Sequence, residues 1–138
     1  EIIIRLYDYF LNNPDRISKA YQYIIDEEKV TAINAKTGEI IWQNSDFVRN
    51  SSSLRLDLDS KGNLYIVRED SPNLFIINKN GETVKRIEDL SLRFERIGIA
   101  DIKFINNETE LVITATIGDI INAKVVINLK DYSIKIEK

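Results

Sequence analysis

Cysteine, histidine and methionine are all missing from these 138 residues. Without cysteine the chain has no disulfide, no thiolate metal site and no cysteine nucleophile. Without histidine it lacks the commonest general base near neutral pH, the usual zinc ligand and any Ser-His pair. These absences close most routes to conventional hydrolase chemistry, so the chain is expected not to be an enzyme. With no methionine anywhere, it is expected to be a form trimmed at its start or a piece of something longer. Glycine is scarce, five residues with none adjacent, and no glycine-rich phosphate loop is present. Apolar runs such as Ile2–Ile4 and Val125–Ile127 are far shorter than the roughly 20 residues a membrane-spanning helix needs. Neither sign of charge dominates. The net charge is −3, and bases alternate with acids, leaving no basic face to neutralise nucleic-acid phosphates. Neither a cofactor nor a nucleic-acid or membrane-spanning role is expected.

What the chain does have is internal similarity. Lys29–Ile41, Asn73–Val84 and Ala123–Ile136 align on the pairs Ile33-Asn34, Ile77-Asn78 and Ile127-Asn128. In each, an apolar strand ends at the asparagine, a turn follows, and a strand resumes at Ile40, Val84 or Ile134. Asparagine tolerates turn conformations, and Gly38 or Gly81 supplies the positive φ that closes a tight hairpin. The third copy has Asp131-Tyr132-Ser133 instead and is expected to turn in another way.

Period-two alternation supplies further strands. Leu54–Asp59 and Leu64–Glu69 flank a polar turn ahead of Leu74–Asn78 and Thr83–Ile87; Ala100–Ile105 and Leu111–Ile117 precede the third pair, which completes a set from about Ile99 to Glu137. Ala20–Ile25, Lys29–Asn34 and Glu39–Gln43 form the first set, with Ile2–Tyr7 as the missing partner. Tyr7, Phe10 and Leu11 at i, i+3 and i+4 suggest a short helix up to Asn13. Asn44–Ser53 and Ser71–Asn73 read as loops. Four strands in about 45 residues is the period of a propeller blade. The expected fold is all-β, one domain of three propeller-like blades of four antiparallel strands, at about 1–46, 47–92 and 93–138. Three blades are too few to close a ring, which leaves a fragment of a larger propeller, a six-blade self-assembly or a collapsed sandwich. Something is expected to cover the faces at both ends.

The first copy reads Ala32-Ile33-Asn34-Ala35-Lys36-Thr37-Gly38-Glu39-Ile40-Ile41-Trp42. It resembles the tryptophan-docking motif of quinoprotein-type propellers, matching at Ala32, Thr37, Gly38 and Trp42, with Asn34 in place of the family's aspartate. That resemblance implies a structural role for Trp42, docking one blade on the next. Asp59–Ile87 separately resembles a blade of the NHL or gluconolactonase-type propellers. Neither resemblance carries a catalytic or cofactor residue onto this chain.

Other chemistry is sparse. Asp57 and Asp59 resemble the start of an Asp-x-Asp calcium loop, but Arg68 stands where the twelfth-position glutamate belongs and Lys61 fills another ligand slot. The acids Asp26–Glu28, Glu69-Asp70 and Glu108 with Glu110 match the residue types of a glycosidase pair, yet all fall in expected turns or strand ends, where carboxylates are simply solvated. Asn50-Ser51-Ser52 and Asn107-Glu108-Thr109 are glycosylation acceptor triplets and point towards export. The reading that follows is a non-catalytic binding or assembly module acting through protein contacts or self-association. Ile2, Ile3, Ile4 and Leu6 are the expected contact segment, because an open sheet edge accepts a strand from a partner. The alternative is a part of a larger propeller enzyme, a quinoprotein dehydrogenase or a lactonase-like hydrolase.

Overall fold

A computed structural model describes residues 2–5, 21–25, 29–46, 54–68, 73–87 and 97–137. Every regular element among the described residues is a strand. They are β1 (Ile2–Arg5), β2 (Tyr21–Ile25), β3 (Val30–Asn34), β4 (Ile40–Asn44), β5 (Leu54–Leu58), β6 (Leu64–Arg68), β7 (Asn73–Ile77), β8 (Thr83–Ile87), β9 (Ile97–Ile105), β10 (Glu110–Ile117), β11 (Ile120–Asn128) and β12 (Ile134–Glu137). They make three four-stranded sheets, β1–β4, β5–β8 and β9–β12, in which each strand lies beside its neighbour in sequence. All-β architecture is therefore the fold class. The expected helix before Asn13 lies outside the described residues, as does Leu6.

The chain groups into two compact units, residues 1–50 with 80–83, and residues 51–79 with 84–138. In the first, β1 pairs antiparallel with β2, Ile2 opposite Ile25, which seats the N-terminal strand at the edge of its own sheet. Tyr23, Ala32 and Trp42 are cross-strand neighbours on one face, and all three are buried. A bulge between Ala32 and Ile33 leaves Ile41 as the extra residue of β4, and Ile40 and Ile41 are both exposed. Asn44 was expected to open a loop. It instead closes β4 with its side chain 5% exposed. Asn73 likewise begins β7 and does not belong to the preceding loop.

In the second unit two sheets share a core. Tyr65, Val67, Leu74 and Ile76 pack with Ile102, Leu111, Ile113, Val125 and Ile127; each such side chain contributes about 1.5–3 kcal/mol by leaving water. β6 is buried at every position, so its run Leu-Tyr-Ile-Val shows no alternation. β10 alternates strictly, Leu111, Ile113, Ala115 and Ile117 inward. Its outward residues continue across the sheet as the rows Asp101–Thr114–Lys124–Glu137 and Lys103–Val112–Val126–Lys135. The Lys124 ammonium donates to Thr114 Oγ1 at 2.9 Å, and Lys135 pairs with Glu137 at 2.9 Å. Charged and hydroxyl groups make up the first of these rows, and two lysines flank the two valines of the second.

Candidate functional site

The three Ile-Asn turns can now be compared atom by atom. In the first, Asn34 Oδ1 accepts from the Lys36 and Thr37 amides at 2.8 and 3.1 Å, and Gly38 donates to the Asn34 carbonyl at 2.8 Å. In the third, Asn128 Oδ1 accepts from the Lys130 and Asp131 amides at 2.8 and 3.2 Å, and Tyr132 donates to the Asn128 carbonyl at 2.7 Å. Gly38 has φ of 77° and Tyr132 has φ of 60°. The third turn therefore closes in the same way as the first, and the expectation of a different closure is corrected. A side-chain amide that gathers two backbone N–H groups holds the loop even where the residue in the left-handed position is not glycine.

Gly81 occupies the matching place in the β7–β8 turn at φ of 86°. Its Cα lies flat against the indole of Trp42, so close that an added Cβ would stand 2.6 Å from Trp42 Cγ. Trp42 is 9% exposed and its ring also meets Tyr23 at 5.9 Å between centroids. Asn44 secures the same turn, donating to the Gly81 carbonyl at 2.9 Å and to Thr83 Oγ1 at 3.1 Å. Trp42 is a packing residue with a glycine as its counterpart. Four residues beyond Gly81, in the place Trp42 holds after Gly38, stands Lys85, whose ammonium sits 5.0 Å from the centre of the Tyr132 ring.

Tyr132 also lines a cleft of about 320 Å³ in the second unit, bounded by the β5–β6, β9–β10 and β11–β12 turns. Asp59 organises the first of these turns. Its Oδ1 accepts from the Lys61 and Asn63 amides, both at 2.9 Å, and its Oδ2 from Asn63 Nδ2 at 2.8 Å and the Tyr65 hydroxyl at 3.3 Å. Burial and the neighbouring Asp59 carboxylate push the Tyr65 phenol far above its ordinary pKa, so it stays a neutral donor. Glu108 ties the second turn to the first, its carboxylate accepting from the Ser60 amide at 2.7 Å and from the Ser60 hydroxyl. Lys61, Asn63, Asn107, Thr109, Leu129, Lys130 and Val84 complete the wall.

Asp59, which in sequence resembles part of an Asp-x-Asp calcium loop, is thus spent on its own turn and is only 5% exposed. Asp57 accepts from the Leu58 amide at 2.8 Å. Among the described residues no group of three or more carboxylates is placed to hold a metal ion. Of the acids weighed as a catalytic pair, Glu108 is held by Ser60 and Glu110 by the Asn106 side-chain amide; Asp26–Glu28, Glu69 and Asp70 lie outside the described residues. Ile2, Ile3 and Ile4 lie in β1, far in sequence from the cleft, and Asn107 of the second acceptor triplet is on its rim. The cleft itself was not legible, because its three turns are separated by about 45 and 20 residues and each reads alone as a solvated loop.

No family model matches the chain, and no curated protein matches it. Among solved structures it is similar to the crystal structure of a protein of unknown function from Bacteroides caccae, at 15% identity and a TM-score of 0.53 over 86% of this chain. The chain spans 42% of that protein's length, and a likeness at this identity speaks to the shared all-β fold alone.

Proposed function

We propose that this chain is a non-catalytic, propeller-like assembly module that associates by strand addition at β1. The observation that carries the reading is the state of the sheet edges. An open edge is normally guarded by lysine, charge or a bulge. β5 carries Arg55 and Asp57, β8 carries Lys85 and Arg86, β9 carries Asp101 and Lys103, and β12 carries Lys135 and Glu137, while β4 is bulged. β1 has three isoleucines before Arg5, and β2 is its only sheet partner among the described residues. Three consecutive four-stranded meanders, and a tryptophan docked on a glycine turn, support the resemblance to propeller blades; the acids of the turns, engaged by backbone amides, support a non-catalytic role.

Light scattering of the purified chain tests the reading. A mass that is a multiple of 16.0 kDa, reduced to the single-chain value when residues 2–5 are replaced by Lys-Thr-Lys-Thr, is the expected result. A single-chain mass for the parent at high concentration overturns it. Circular dichroism confirms that the replacement variant retains its sheets.

A further inference from the structure

Strain in this molecule is concentrated at the cleft. Five non-glycine residues have positive φ, namely Asn106, Asn107, Glu108, Asn122 and Tyr132, among the described residues. Three of them, Asn107 at 56°, Glu108 at 64° and Tyr132 at 60°, line the cleft, and Asn106 adjoins it. Asparagine adopts the left-handed conformation readily, but for Glu108 and Tyr132 it costs about 1–2 kcal/mol, and such outliers cluster where a binding surface needs a side chain held in one place. The first Ile-Asn turn, with the same hydrogen bonds, uses glycine at this point. In the third a tyrosine takes the strain, and its ring becomes part of the cleft wall.

The wall's chemistry is balanced. Two lysines, Lys61 and Lys130, and two acids, Asp59 and Glu108, line it. The Asp59 carboxylate is taken up by the four donors of its own turn, whereas Glu108, anchored by Ser60, is a fixed acceptor that retains further lone pairs. A phosphate entering the cleft would meet two fixed negative charges, and a metal cation would meet two ammonium groups. Asn107 and Thr109 add neutral donors and acceptors, while Val84 and the partly buried Leu129 and Tyr132, which also pack on the core, contribute apolar atoms to the wall. A ligand with many hydroxyls, no charge and a C–H face satisfies every one of these features. The volume falls at the small end of the range of about 300–1,000 Å³ for ligand pockets.

We propose that this cleft binds a neutral carbohydrate, with Tyr132 as the ring against which the sugar packs and Lys130 and Asn107 as hydrogen-bonding partners. None of these residues is in β1, so the site stands or falls independently of the assembly reading. The test is a set of amide NMR titrations of the full chain with maltose, cellobiose and N,N′-diacetylchitobiose, with sodium phosphate and calcium chloride run in parallel, each to about 10 mM, a range that detects millimolar dissociation constants. The expected result is saturable shifts at Lys61, Asn107 and Lys130 with at least one sugar, and a loss of affinity of about tenfold or more in Tyr132→Gly and in Lys130→Ala. Tyr132→Gly removes the ring while relieving the backbone, so the variant keeps its turn; Lys130→Ala alters only an exposed side chain. Spectra unmoved by all three sugars overturn the proposal. So does a larger response of the same amides to phosphate or calcium, or sugar binding that is unchanged in both variants.

Discussion

Gly38 and Gly81 share a left-handed backbone but differ in what surrounds them. A Cβ at Gly38 would meet nothing within 4 Å, whereas one at Gly81 would enter the Trp42 indole. Gly38→Ala should therefore cost only the backbone penalty of about 1–2 kcal/mol. Gly81→Ala should add overpacking of about 1–3 kcal/mol, and urea denaturation should show the larger fall in midpoint with an unchanged slope. Equal losses would show that Trp42 gives way freely. Asp57 offers a second test at this scale. Burial raises its carboxyl pKa above the ordinary 3.8; the Leu58 amide counters this, and the carboxylates of Asp101, Glu108 and Asp59 add to it. A folded-state pKa above the unfolded one means that the native form gains stability as pH falls through the folded value, and bears the full cost of ionisation above it. Asp57→Asn, which keeps an acceptor for the Leu58 amide, should raise the melting temperature at neutral pH. That gain should vanish below pH 3.8, and a gain that persists in acid would exclude the charge as its cause.

Turns govern the elements. The first and third Ile-Asn turns share their hydrogen bonds but not their left-handed residue, so the third depends more heavily on its asparagine. Asn34→Ala should cost about 0.5–1.5 kcal/mol, the usual net value of such bonds. Asn128→Ala should cost more, because Tyr132 gains no conformational ease from being glycine; thermal melts of the two variants side by side will rank them. The strands were legible in sequence where one face is solvated, as in Leu111–Ile117, because alternation and burial are then the same pattern. They were legible in β6 and β7 from apolar runs between turn residues. What escaped was non-local or disguised. Asn44 reads as a loop residue because its acceptor, the Gly81 carbonyl, lies 37 residues away. The closure at Tyr132 is hidden because the glycine of the first turn is missing there, while the hydrogen bonds that hold the turn come from Asn128 four residues earlier.

At the scale of the whole molecule the chain distinguishes its surfaces. The outer face of the β9–β12 sheet carries one row of charged and hydroxyl residues beside a row in which two valines lie between lysines. Thr114→Ile with Lys124→Ile would join the Val112–Val126 pair into a continuous apolar patch without touching the core on the opposite face. Light scattering should then report particles heavier than the parent's, in line with the association that large exposed apolar patches cause. An unchanged mass would mean that the flanking lysines Lys103 and Lys135 suffice to keep that face apart.

The strand order has a consequence in time as well as in space. Because every sheet joins strands in the order in which they occur in the chain, a growing polypeptide never holds a strand in wait for a distant partner. Apart from β1 and β2, which pair across residues 6–20, each hairpin closes over a short loop, at little entropic cost and within microseconds of its second strand becoming available. Synthesis at about 5–20 residues per second is far slower than that, so each meander has time to zip up before the next is made, which leaves only the two outer strands of each sheet with an unpaired edge.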